Sequence, residues 1–183
     1  LQSRWAEINY QAPAAEKEKD FAKLSAQAAT MVRQDPAAEL LIWQGIILST
    51  YAGAKGGLGA LDLVKQAKDS LEQAIKVDPA ALDGSAFTSL GALYYQVPGW
   101  PVGFGDDEQA EVLLKKALSM NPDGIDPNYF YGDYLAREKR YSEAKVVLEK
   151  ALAAADRPGR EVADEGRRAE AKALLAKVQS ELD

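Results

Sequence analysis

Tyr129, Asp133 and Arg137 follow one another at intervals of four, so on a helix their side chains share one face. A phenol, a carboxylate and a guanidinium in one stripe suit an aromatic or polar ligand. They suit equally an intrahelical ion pair beside a half-buried ring. Asp106, Asp107 and Glu108 gather three carboxylates, but a calcium loop needs oxygens at alternating positions around a turn. These acids abut an expected helix start, where capping and the helix dipole account for them. Gly53-Ala54-Lys55-Gly56-Gly57-Leu58-Gly59 invites comparison with a phosphate loop. It lacks the GK[ST] ending, no strand precedes it, and Asp62 stands where G-x-G-x-x-G needs its third glycine. A connection between helices is the better account. Phe87-Thr88-Ser89-Leu90-Gly91 lacks the first glycine of G-x-S-x-G and lies on an expected helix, so it is no nucleophile elbow.

The chain has 183 residues and neither His nor Cys. That excludes a disulfide framework, a His/Cys zinc site and the His-dependent triads, and no cofactor is expected. An enzyme would have to rely on carboxylates, Lys, Tyr or a Ser–Lys pair, and no arrangement of these supports one. With 22 Lys+Arg against 28 Asp+Glu the net charge is −6, and no basic stripe offers a nucleic-acid footprint. Even Arg157–Lys172 is interleaved with Glu161, Asp164, Glu165 and Glu170. The longest apolar stretches, near Ala37–Trp43 (which Glu39 interrupts) and Ile46–Leu48, are far too short to span a bilayer.

The elements that would position these groups are helical and repeated. Asp35-Pro36, Asp78-Pro79 and Asn121-Pro122 stand 43 residues apart twice over. Ala67, Leu71 and Ala74 recur as Ala110, Leu114 and Ala117, then as Ala144, Leu148 and Ala151. Apolar residues at i, i+3, i+4 and i+7, as in Phe21, Leu24, Ala28 and Met31, mark amphipathic helices. No stretch alternates as a strand would. Helices are expected at about 3–11, 15–34, 37–53, 60–77, 84–96, 107–120, 127–139, 142–155 and 161–182. Asp106 with Gln109 reads as a capping box, Asp126 as an N-cap before Pro127, and Asp83 and Ser142 as further caps. Short turns make neighbouring helices antiparallel pairs, which must stack to bury their apolar faces.

Tyr131-Gly132, Leu135, Ala144, Leu148 and Ala151 resemble the tetratricopeptide repeat, and so do Leu90-Gly91, Tyr94, Ala110, Leu114, Ala117 and Pro122. The resemblance implies an all-α fold: a TPR-like right-handed superhelix of three to four antiparallel helix pairs. Repeats fall at about 3–36, 37–79, 80–122 and 123–156, with a capping helix at 161–182 that turns one polar side to water. All of 1–183 is then a single domain. The segment Gly99-Trp100-Pro101-Val102-Gly103-Phe104-Gly105-Asp106-Asp107, with Asn128-Tyr129-Phe130-Tyr131, is similar to the periplasmic T-component family associated with TRAP transporters. That resemblance implies a periplasmic or secreted protein, its signal peptide removed before Leu1 and a lipoprotein anchor compatible with it. The cytoplasm is the alternative location.

In such arrays the concave face is lined by the first helix of each repeat. By that register Ser85, Thr88, Ala92, Tyr95 and Gln96 line it, followed by Asp126, Tyr129, Phe130, Asp133 and Arg137. Trp100 and Phe104 form either a wall over a ligand cleft or a stiff turn whose aromatics cover the adjoining core. The candidate binding residues are therefore Thr88, Tyr95, Trp100, Phe104, Tyr129, Phe130, Asp133 and Arg137. The Lys/Asn pattern that clamps C-terminal carboxylates in some relatives is absent, which points away from chaperone-tail binding. The expected function is a non-catalytic scaffold for a protein or peptide partner, with a periplasmic solute-binding protein as the specific candidate. The alternative is a binding protein for a small organic or hydrophobic ligand in an apolar channel.

Overall fold

A computed structural model describes all of residues 1–183 and contains nine α-helices and no strand. They are α1 (Gln2–Tyr10), α2 (Ala14–Gln34), α3 (Ala38–Lys55), α4 (Gly59–Val77), α5 (Ser85–Gln96), α6 (Asp107–Met120), α7 (Ile125–Arg137), α8 (Tyr141–Ala153) and α9 (Glu161–Leu182). The spaced Asp-Pro and Asn-Pro dipeptides act as stops. Asp35, Asp78 and Asn121 are the C-caps of α2, α4 and α6, each with φ between −142° and −155°. A residue preceding proline is pushed out of the helical region, which ends each helix there.

Three of the four expected caps are placed otherwise. Asp106 does cap α6, its carboxylate accepting the Gln109 amide at 3.0 Å. Asp126, however, lies inside α7 behind Gly124, because two arginines take its carboxylate. Asp83 sits in a left-handed turn (φ 55°), and Gly84 occupies the N-cap of α5. Ser142 is the second residue of α8. Arg140 precedes that helix, its guanidinium held by Glu143 and by Glu111 of α6 at 2.8 Å each.

Pairs α3–α4, α5–α6 and α7–α8 pack closely, and one device recurs in each. Gly45, Gly91 and Gly132 on the first helix face Leu71, Leu114 and Leu148 on the second, and a Cβ at either Gly91 or Gly132 would lie within 2.8 Å of the leucine side chain. Glycine there lets the helices approach until leucine fills the space between them, and all three leucines are fully buried. Gly45 extends to α3 the large-Gly signature read above at Gly91 and Gly132.

The odd-numbered helices form an inner layer and the even-numbered ones an outer layer. Along the inner layer α1 touches α3, α3 touches α5, α5 touches α7, and α7 touches α9. The chain then closes on itself, because α9 also packs against α1. The ninth helix is thus more than an outward-facing cap: Asp164 and Arg167 are buried in it, at 2% and 9% exposure. Its Ala163 joins the core around Trp5 and Trp43, while Ala171 and Val178 join the core of the last repeats. Gly166 makes the closure close-fitting, since a Cβ there would enter the ring of Tyr10.

Exchange of a mid-helix glycine for alanine ordinarily stabilises a helix by about 0.5–1 kcal/mol. Here the sign should invert: Gly132→Ala and Gly166→Ala overpack Leu148 and Tyr10, at a cost of about 1–3 kcal/mol each. Thermal unfolding checks this, with the melting temperature expected to fall in both variants.

Candidate functional site

The inner circuit encloses a partly open cavity of about 280 Å³ to which all five odd-numbered helices contribute. From α1 come Trp5 and Asn9, from α3 Trp43, Ile46, Ser49 and Thr50, and from α5 Ser85, Thr88, Ala92 and Gln96 among others. Asp126, Tyr129 and Phe130 enter from α7, and Arg167 and Glu170 from α9, with Arg160 on the turn before it. One side is aromatic. Trp5 and Trp43 meet at a ring-centroid distance of 5.7 Å, and the Trp5 indole N–H donates to Thr50 Oγ1 at 3.2 Å.

The opposite side is ionic. The Arg167 guanidinium lies over both Tyr129 and Phe130, at 4.7 and 4.6 Å from their ring centroids. Its Nε donates to Asp126 Oδ1 at 2.8 Å and its Nη1 to Glu170 Oε2 at 2.7 Å. Arg157 donates to the other oxygen of Asp126 at 2.8 Å and, through its backbone N–H and side chain, to Asp164. Tyr10 donates to Glu170 at 3.1 Å, tying α1 into the same network. Burial alone would raise the pKa of Asp126, but Arg167 and Arg157 outweigh it and hold the carboxyl below its usual range. Burial, with the Glu170 charge adding to it, pushes the Tyr129 phenol up to about 12. The site therefore contains an anion kept ionised and a phenol kept neutral. A general acid at Asp126 would need the opposite shift.

Of the candidate residues, Thr88, Tyr129 and Phe130 line this cavity, beside Ser85, Ala92, Gln96 and Asp126 of the expected concave face. Tyr95, Asp133 and Arg137 form a neighbouring strut between α5 and α7. Tyr95 is only 8% exposed and donates to Asp133 at 2.8 Å, while Arg137 stacks over the Tyr95 ring and pairs with Asp133 at 3.4 Å. Phe104 packs edge-on against Tyr94 under Lys68, outside the cavity. Trp100 is 90% exposed at the tip of the same loop and touches neither cavity nor core. Of that pair Phe104 packs on the adjoining core and Trp100 does not, and the aromatic side of the cavity comes from Trp5 and Trp43, far away in sequence. Sequence reasoning passed over Trp5, Trp43, Arg160, Arg167 and Glu170. Arg167 and Glu170 are three residues apart on the last helix and so share a face, with Gly166 beside them, whereas Arg160 stands on the turn before that helix, where spacing predicts no face.

Because folding makes the Asp126 carboxyl more acidic, its contribution to stability is complete above the usual pKa of 3.8 and is lost as pH falls below it. Glu111 behaves alike: burial opposes its ionisation, but Arg140, Lys115 and Tyr131 lower its pKa from 4.5 to about 2. Urea midpoints are accordingly expected to fall steeply between pH 4.5 and 2. Asp126→Asn should be less stable at pH 7 by about 3 kcal/mol and should lose part of that acid dependence.

No curated protein matches the chain in a sequence search. A family model described as the tetratricopeptide repeat matches residues 103–164, about a third of the chain, from the Trp100 loop through α6, α7 and α8 into α9. With nine helices, no strand and the Gly–Leu device repeated across three helix pairs, the chain has an all-α, TPR-like helical-repeat fold.

Proposed function

We propose that this protein is a non-catalytic binding protein that holds a small molecule in the cavity of its inner helix circuit. The carrying observation is the closure of α9 on α1, which converts an open concave face into a chamber with aromatic walls. A concave site with aromatic surface beside converging polar groups is a common form of small-molecule site, and this one sets Trp5 and Trp43 beside a largely polar lining. Indole, an uncharged ring that fits about 280 Å³, is the probe. Titration calorimetry should detect its binding, and Ser89→Phe, which places a ring in the cavity from α5, should weaken it at least about tenfold with helical circular dichroism unchanged. Trp100→Ala should leave it as it was. Indole binding that survives Ser89→Phe would show the ligand to lie elsewhere.

A protein partner is the second reading, supported by the tetratricopeptide match and by the loop before α6. That loop is braced: the Gly105 amide donates to the Pro98 carbonyl at 2.9 Å and the Asp106 amide to the Tyr94 carbonyl at 2.8 Å, leaving Trp100 exposed at the tip. A rigid exposed tryptophan is a typical binding anchor. The likeness of this loop to T-component proteins supports a periplasmic solute-binding protein as the partner and a location outside the cytoplasm. Co-purification of such a partner should be lost in Trp100→Ala and kept in Ser89→Phe.

A further inference from the structure

We propose that the cavity takes a small organic carboxylate, its carboxylate on the guanidinium of Arg160 and its apolar body against Trp5 and Trp43. The proposal rests on the cavity-binding reading above and names the charge of the ligand.

Three arginines gather around the start of α9, and two are held by carboxylates. Arg157 is held by Asp126 and Asp164, and Arg167 by Asp126 and Glu170. Arg160 is not: its guanidinium makes no hydrogen bond and no ion pair, and its Nε is buried without an acceptor. The one group it stacks on is the face of Trp43, at 5.4 Å. The Arg160 amide donates to the Arg157 carbonyl at 3.0 Å, and its carbonyl accepts from Asp164 at 2.8 Å, so the backbone is pinned at the start of α9. A buried donor without an acceptor is costly, and a carboxylate met side-on by the Nε edge of the guanidinium would remove that cost. Burial, with the nearby Arg157 charge, also lowers the pKa of Arg160, the condition an added anion would relieve.

The same rings argue against a cationic ligand. A quaternary or primary ammonium would seek the faces of Trp43, Tyr129 and Phe130, but Arg160 and Arg167 already cover them. The carboxylates that could attract a cation, Asp126 and Glu170, are occupied by Arg157, Arg167 and Tyr10. The planar guanidinium fork of Arg160 matches a carboxylate in two parallel hydrogen bonds. Beside it Trp5, Trp43 and Ile46 offer apolar surface to a flat ring or short chain.

The test is calorimetric titration of the full chain at pH 7 with phenylacetate, its neutral isostere phenylacetamide, and phenethylammonium. Phenylacetate should bind at least about tenfold more tightly than the amide, and the ammonium more weakly than either. Arg160→Gln should abolish the preference, bringing phenylacetate down to the level of the amide measured in the same variant. Because Arg160 has no hydrogen-bond or ion-pair partner to lose, the far-ultraviolet circular dichroism of the variant should not change. Arg160→Lys, which keeps the charge without the fork, should give an intermediate affinity and decides the matter if the glutamine variant fails to fold. Equal binding of phenylacetate and amide, tighter binding of the ammonium, or full phenylacetate affinity in both variants would overturn the carboxylate assignment while indole still occupied the cavity. Failure of all three probes and of indole would overturn the cavity reading with it.

Discussion

The guanidinium of Arg167 is the contact on which the architecture turns. It belongs to the last helix, stacks on Tyr129 and Phe130 of α7, and shares Asp126 and Glu170 with Arg157 and Tyr10. Through it the two ends of the chain meet. A buried ionic group is costly when incomplete and tolerable only when each charge has partners, so the network acts as a unit: α1, α7 and α9 are either all in place or the charges are stranded. The chamber exists because that condition is met.

Beneath the ionic network lies a simpler constraint, the approach distance of paired helices. Gly45, Gly91 and Gly132 each admit one leucine from the partner helix, and with buried alanines beside them this sets a common spacing for the three pairs. Gly166 performs a related service for Tyr10, although it joins α9 to α1 across the circuit and not within a pair. Backbone proximity is thus specified by residues with no side chain, and specificity by the few large or charged ones that fill the remaining space.

The cavity follows from how these two levels meet. Repeat packing leaves an inner face rich in small and polar residues, such as Ser85, Thr88 and Ala92. Closure by α9 brings Trp5 and Trp43 opposite Tyr129 and Phe130, and it carries Arg160 to the wall. The outer loop around Trp100 stays apart from this chamber.

All nine helices were legible in the sequence to within a few residues, because periodicity, Pro stops and small–large–small spacing are local properties. The inner-face register was legible too: Thr88, Tyr129 and Phe130 lie where helix geometry puts them. Caps were less so, since Asp126 had arginines to answer to that lie more than thirty residues away. The charged stripe of α9 could not be told from a solvated face, because Arg and Glu read alike whether they meet water or each other. What the sequence determined alone was a stack of helix pairs without thiol or imidazole chemistry. Only the tertiary structure decided that the stack closes, since closure depends on Tyr10 of α1 packing on Gly166 and donating to Glu170 of α9, residues from opposite ends of the chain.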